Sequence, residues 1–294
     1  MSQGQVTTQQ SNSFRASIWM LGAVASFSTM AVAGREVLKE LDVYQLMFYR
    51  SAIGLVLIVA FGMLSRGGFR QFRTRRLKVH FVRNMVHLVG QFSWFFALGL
   101  IPLAQLVALE FTTPLWIAGL APIFLRERLT KMRLAAVMLG FSGVLVVLRP
   151  GLEAVNVGSV VMLVGAVGFA GSMMFTKHLA PTEQPLTILF YMALMQTPVG
   201  LLLAINGLHW PELVTGLWLV LVGILGFTAN YFIARALSLA DAIVVAPMDL
   251  LRLPLIATIG LMLYGEPLEF WVLLGGVLVL LGNYGNLMAE RRAG

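Results

Sequence analysis

An all-α integral membrane protein of ten helices, built as two five-helix halves of opposite topology, is the fold that this sequence predicts. Three observations carry it. Of 294 residues, 59% are hydrophobic and 12% charged, about half the ~25% charged share of a soluble domain, and the mean hydropathy is +0.85. Apolar runs of membrane-spanning length follow one another from Phe14 onward. Two segments of the chain also repeat at a fixed offset. A soluble fold of this size could not hide so much apolar surface from water. That excludes an ordinary soluble enzyme, a disordered protein and a nucleic-acid binder.

A spanning helix needs about 20 mostly apolar residues. Helices are preferred to barrel strands because Leu134 to Leu148 and Trp271 to Leu281 are apolar on all sides, whereas a membrane strand alternates polar and apolar residues. Residues 1–15, polar and rich in Gln, Ser and Thr, are predicted to form a disordered cytoplasmic tail. The first span is read at 16–34. Ala31-Val32-Ala33 resembles a signal-peptidase site, but the stretch before it is as long as a full span and is read as a helix. Spans follow at about 43–64, 79–100, 103–125 and 133–149. Between the second and third lies the basic run Arg70 to Lys78, an anchor for anionic lipid. The sixth span, 156–176, carries Gly165, Gly168 and Gly171 with Ala166 and Ala170, small residues that let helices pack closely. The remaining spans fall at 186–206, 214–237, 242–264 and 268–288, and 289–294 form a second cytoplasmic tail. There is no cysteine, hence no thiol chemistry.

Charge fixes the expected orientation. With the N-terminus inside, 16 of the 21 Lys and Arg residues fall on the inner side. Three (Arg35, Lys39 and Arg149) fall outside, and two (Arg50 and Arg252) lie within spans. An excess of basic residues marks the cytoplasmic side, so both termini are expected in the cytoplasm of a multi-pass protein of the plasma (inner) membrane.

The repeat is Phe124-Leu125-Arg126-Glu127-Arg128-Leu129 against Leu263-Tyr264-Gly265-Glu266-Pro267-Leu268, with Gly143 and Gly282 each sixteen residues after the Glu. The offset is 139, and Leu103-Ala104 matches Leu239-Ala240 at 136. Halves of five spans (16–150 and 151–288) turn the second copy upside down, which gives inverted repeats with a site near the midplane between them. Each repeated Glu sits at a helix boundary, where it is expected to cap the helix that follows.

The repeated Leu/Phe–x–x–Glu–x–Leu turn, the Tyr49-Arg50 pair and the Ala-Leu-rich ends of helices 3 and 8 resemble the EamA domain of the drug/metabolite transporter superfamily. The first turn reads Arg126-Glu127 where the family more often has Gly-Glu. The resemblance, over about residues 16–288, implies ten helices, cytoplasmic termini, and export or facilitated movement of small metabolites such as amino acids. It implies no cofactor.

Ionisable residues inside spans sharpen the expectation, because each costs about 2.5–3.5 kcal/mol at a helix centre unless paired or wet. They are Arg50, His87, Glu110, Asp249 and Arg252. Glu110 and Asp249 are 139 apart, so both halves carry an acid at the same repeat position. At 1.5 Å per residue, Arg50 and Glu110 share a level about 10 Å from the outer side. His87 and Asp249 share one about 10–12 Å from the inner side, with Arg252 one turn beyond Asp249. Two polar layers are expected: an outer Arg50–Glu110 pair and an inner His87–Asp249–Arg252 cluster. Pro114 and Pro254 should kink or open helices 4 and 9 beside their acids. Gln91 and Trp94 on the His87 face of helix 3, Thr113 and Trp116 on helix 4, and Asn230 and Tyr231 on helix 8 complete the candidate lining.

No HExxH motif or nucleophile elbow is present, and His80 and His87 are seven apart, so neither a metal site nor an intramembrane enzyme is expected. The expected function is alternating-access transport of a small amino-acid-like, cationic or zwitterionic solute. An acid that takes a proton would make it an antiporter, and acids that stay paired would make it a facilitator. The rival is a non-transporting membrane scaffold or receptor.

Overall fold

The computed structural model describes residues 3–64, 68–124, 131–149, 155–239, 248–249 and 251–293; the side chains of 3–14, 121–124, 133, 234, 237, 238 and 290–293 stand outside the description. The Arg126-Glu127 turn and Ala240 therefore lie outside the described residues. The helices are α1 (Gln3–Val37), α2 (Val43–Leu64), α3 (Leu77–Leu98), α4 (Leu103–Glu110), α5 (Thr113–Phe124) and α6 (Lys131–Leu148). Then come α7 (Val157–Leu179), α8 (Pro185–Ala204), α9 (Leu213–Leu239), α10 (Arg252–Tyr264) and α11 (Phe270–Ala293). A 3-10 turn, Gly68–Phe72, leads into the basic run Arg70 to Lys78.

Seven helical stretches among the described residues are long and apolar enough to cross a membrane, and Leu134–Leu148 and Arg252–Tyr264 are shorter apolar helices. Helix α3 is not in that set, because Lys78, His80, Arg83, Asn84, His87 and Gln91 dilute its hydropathy. Two boundaries differ from expectation. The sequence predicts a disordered tail at 1–15 and a last span that ends at 288, whereas α1 starts at Gln3 and α11 runs to Ala293. Once a span has nucleated a helix, each added residue gains a hydrogen bond without a new nucleation cost, so the polar ends continue it. The apolar, membrane-length part of α1 is Arg15–Val37.

The packing runs across the halves: α1 lies on α9, α2 on α8, α3 on α7, α6 on α11, and α4 on α10. Small residues set the closest approaches. A Cβ on Gly168 would lie 2.8 Å from the Gly90 nitrogen, and one on Gly165 would lie 3.0 Å from the Ser93 Cβ, so the glycines of α7 do seat α3. Between α6 and α11 the contacts repeat. Gly143 abuts Gly275 and Val279, and Gly282 abuts Ala136 and Gly140. Adding 139 to one member and subtracting it from the other turns the first set into the second. Residue numbers fall along α11 as they rise along α6, so the two helices are antiparallel.

Large apolar side chains such as Val56, Phe61, Met63 and Leu64 on α2, or Leu202 and Leu213 on α8 and α9, are exposed. Such a surface suits lipid and not water. The interior is a continuous cluster around Leu46, Phe95, Leu106, Leu109, Leu115 and Ile256. The polar residues described next are set into it.

Candidate functional site

The fourth predicted span is two helices. It breaks at Phe111-Thr112, directly after Glu110, where Pro114 cannot supply an N–H to the Glu110 carbonyl. Side chains satisfy the groups that the break exposes. The Thr113 hydroxyl donates to the Glu110 carbonyl at 2.8 Å, the Thr112 hydroxyl to the Leu109 carbonyl at 2.6 Å, and Asn283 Nδ2 to the Phe111 carbonyl at 2.7 Å. The expected opening beside the acid is present, and Thr113 is used to sustain it. Pro254 lies in the first turn of α10, where a missing N–H costs nothing. Leu250, the carbonyl that Pro254 was expected to free, lies outside the described residues.

The break presents the Glu110 carboxylate to two donors. Arg252 Nη1 lies 2.9 Å from Oε1, and Trp94 Nε1 donates to Oε2 at 2.9 Å. Arg252 Nη2 also lies 3.5 Å from Asp249 Oδ2. The two acids, 139 residues apart in the sequence, therefore meet on one guanidinium. Two aromatic rings flank it: Arg252 Cζ lies 4.7 Å from the centroid of Phe111 and 5.2 Å from that of Phe27. The side chains of Arg252, Glu110 and Asp249 keep 5%, 18% and 28% of their surface, so the arginine is the buried member and Asp249 the most accessible. With both acids ionised the cluster carries one negative charge in excess.

This corrects the two-layer expectation. Glu110 pairs with Arg252 and not with Arg50, and His87 does not join Asp249. The depth count assumes straight helices, whereas the break in α4 and the i, i+3 reach of Arg252 bring both acids to one level. His87 Nδ1 instead lies 3.2 Å from Gln196 Nε2. The same amide nitrogen donates to the Asn84 carbonyl at 3.4 Å, so it is the NH2 group and His87 Nδ1 is the acceptor. Arg50 has no hydrogen bond or ion pair among the described residues. Its Nε is buried without an acceptor and its Cζ lies 5.6 Å from the Phe95 ring centroid. With Gln196, Gly223 and Gly226, Arg50 lines a small, partly open cavity of about 40 Å³ between α2, α8 and α9.

The other candidates divide. Gln91 is buried on α3 with its Oε1 unpartnered, on the turn between His87 and Trp94. Trp116 packs edge-on against Phe141. Asn230 donates to the Gly226 carbonyl of its own helix at 2.7 Å. Tyr231 is 48% exposed against Trp19 of α1, so neither Asn230 nor Tyr231 joins the acid cluster. The sequence reading missed Gln196, an uncharged residue passed over by a search for ionisable ones. It also missed a clamp at the end of the bundle where α1, α3 and α10 finish. Glu266 was expected to cap the helix after it, but its Oε2 accepts the Leu103 amide at 2.8 Å, capping α4 instead, and it is paired with Arg35. Arg35 Nη2 also donates to the carbonyls of Leu98 at 2.7 Å and Ile101 at 2.5 Å, groups that the end of α3 leaves unpaired.

The structure thus holds a buried acid–arginine cluster at a broken helix and, apart from it, a cavity lined by an arginine with no hydrogen bond or ion pair among the described residues. The profile of the EamA-like transporter family matches residues 14–149 and 156–288. The chain belongs to that family. Among its relatives, a riboflavin transporter of Brucella anthropi is 33% identical over 232 residues, which cover 76% of this chain and 81% of the relative. An S-adenosylmethionine uptake transporter of Rickettsia bellii is 25% identical and covers 94% of each chain. A solved structure at 18% identity superposes with a TM-score of 0.64 over 95% of this chain and 98% of its own, a likeness of fold alone. This member of the EamA-like family is therefore a multi-pass membrane transporter of small molecules and not an enzyme.

Proposed function

We propose that this EamA-like protein moves a planar heterocyclic metabolite of the size of riboflavin or S-adenosylmethionine across the plasma (inner) membrane by alternating access. Ten spans form two inverted halves, 16–150 and 151–288, with both termini cytoplasmic. The contacts across α6 and α11 support this architecture. They map onto themselves under the 139-residue offset, and a two-fold axis that exchanges antiparallel helices must lie across them, in the membrane plane. The cross-half pairing of α1 with α9 and of α3 with α7 supports it too, since exchange of the halves turns one pair into the other.

The observation that carries the reading is the clamp of Glu110 and Asp249 on Arg252. A proton, or a cationic group on the solute, that takes up its excess negative charge loosens the hold of α4 on α10. Such a change couples occupancy to movement between the halves. The names of the relatives favour a ring-bearing metabolite over a simple amino acid, and Trp94, Phe95 and Phe27 supply flat apolar walls beside the polar groups. Anionic lipid at Arg70 to Lys78 anchors the inner face.

The test is uptake of labelled riboflavin by a riboflavin-auxotrophic bacterium without its own transporter, with unlabelled S-adenosylmethionine, amino acids and amines as competitors. Uptake above an empty-vector control, dependent on external pH and with that dependence lost in Glu110→Gln, is expected. Expression at the membrane with no movement of any of these solutes in either direction would contradict the proposal and favour a receptor or scaffold.

A further inference from the structure

The two intramembrane arginines differ in one respect that the transport reading leaves open. Arg252 has two carboxylates. Arg50 has none among the described residues, although its Nε is buried. A guanidinium presents a planar fork of donors that fits two coplanar acceptor atoms. Around Arg50 the structure leaves room for such a pair. A Cβ on Gly226 would stand 3.5 Å from Nη2 and 3.9 Å from Nε, so the absence of a side chain there keeps the fork uncovered. Gln196 forms part of the cavity wall, and behind it His87 Nδ1 lies 3.2 Å from its amide nitrogen. Ile58, Leu189 and Phe227 give the cavity apolar walls.

We infer that Arg50, left uncovered by Gly226 and set beside Gln196, is a subsite for two coplanar acceptor atoms on the transported solute, separate from the Glu110–Arg252–Asp249 cluster. This rests on the transport reading above. Two sources offer the chemistry: the carboxylate of an amino-acid-bearing solute, or a ring nitrogen and its adjacent carbonyl on a heterocycle. The site assigns polarity to the passage, because the solute offers acceptors to Arg50 and any cationic group to the acids.

The test compares purified wild type with Arg50→Lys, Arg50→Gln and Gly226→Ala, each checked for monodispersity. Affinity is measured for riboflavin, by quenching of its fluorescence, and for S-adenosylmethionine, by displacement. Arg50→Lys keeps the charge and loses the fork; Gly226→Ala keeps the arginine and fills the space beside it. Each should weaken binding at least tenfold for the solute whose acceptor pair the site takes, which separates the two sources. Benzoate, a minimal planar oxygen pair, should raise the unfolding midpoint of wild type at millimolar concentration and leave Arg50→Lys and Arg50→Gln unmoved. Wild type that binds neither metabolite while benzoate protection still depends on Arg50 would sink the proposed substrate and sustain the subsite. Unchanged affinities in Arg50→Lys and Gly226→Ala, or benzoate protection that survives loss of Arg50, would overturn the subsite.

Discussion

Arg252 and Arg50 sit in the same apolar interior and are treated in opposite ways. Arg252 is held by Glu110 and Asp249 and covered by Phe111 and Phe27. Arg50 rests on Phe95 and borders a cavity with no acceptor in reach among the described residues. Both leave a buried Nε without an acceptor, but a charge paired with the protein's own carboxylates is part of the scaffold, or of a switch within it. A charge left with donors to spare in a cavity is arranged for something that comes and goes. The cost of keeping either in a membrane is similar, about 2.5–3.5 kcal/mol on insertion scales, so the difference lies in what repays it.

The largest expected effect breaks the clamped side. Glu110→Ala strands both Arg252 Nη1 and Trp94 Nε1, and removing one partner of a buried pair costs about 3–5 kcal/mol. Asp249→Ala should cost less, since its contact is longer and its side chain more exposed. Arg50→Ala removes no pair and should change the ligand-free stability by no more than about 1 kcal/mol, as expected away from a broken network. Unfolding midpoints of the three variants in one detergent check the order, and equal losses at Arg50 and Glu110 would erase the distinction.

A second prediction concerns the frame that holds both arginines. A Cβ on Gly143 would lie 2.5 Å from the Gly275 carbonyl oxygen, and one on Gly282 would lie 2.7 Å from the Ala136 carbonyl oxygen. Overpacking of this kind costs about 1–3 kcal/mol. Gly143→Val and Gly282→Val should destabilise alike if the halves are related as proposed, and markedly unequal losses would count against that relation.

The smallest effect lies outside the membrane, where Glu40 in the turn after α1 touches the start of α9. Hydrogen bonds from Thr215 and from the Glu212 amide hold its carboxyl below the ordinary value of 4.5. A carboxyl with a lowered folded pKa adds stability above its unfolded value and loses it as pH falls through the folded one. Wild type should therefore lose slightly more stability than Glu40→Gln between neutral pH and about pH 4. Parallel unfolding curves across that range would remove this contact from the account.

Much of this was legible in the residues. The 139-residue spacing singles out Glu110 and Asp249, the two acids that share Arg252, and Pro114 marks the opening that Thr113 and Asn283 then satisfy. The glycines of α7 read correctly as a packing face. The pairing did not read correctly, because counting residues from a span boundary fixes height on a straight helix and nothing else. It gives neither the facing of a helix nor the effect of a break, and both decided that Arg252 reaches Glu110. Glu266 misled for a related reason: its neighbour in space, the start of α4, is far from it in sequence. Gln196 was invisible because a neutral amide in an apolar helix announces itself only through its partners.

The most direct measurement takes Arg50→Gln and Arg252→Gln through the same two assays, the ligand-free unfolding midpoint and the affinity for riboflavin. The two variants should separate. Arg252→Gln should unfold far more readily than wild type, whereas Arg50→Gln should keep its midpoint and lose at least tenfold in affinity. Variants that lose stability together, or an Arg50→Gln protein that binds as wild type does, would contradict it.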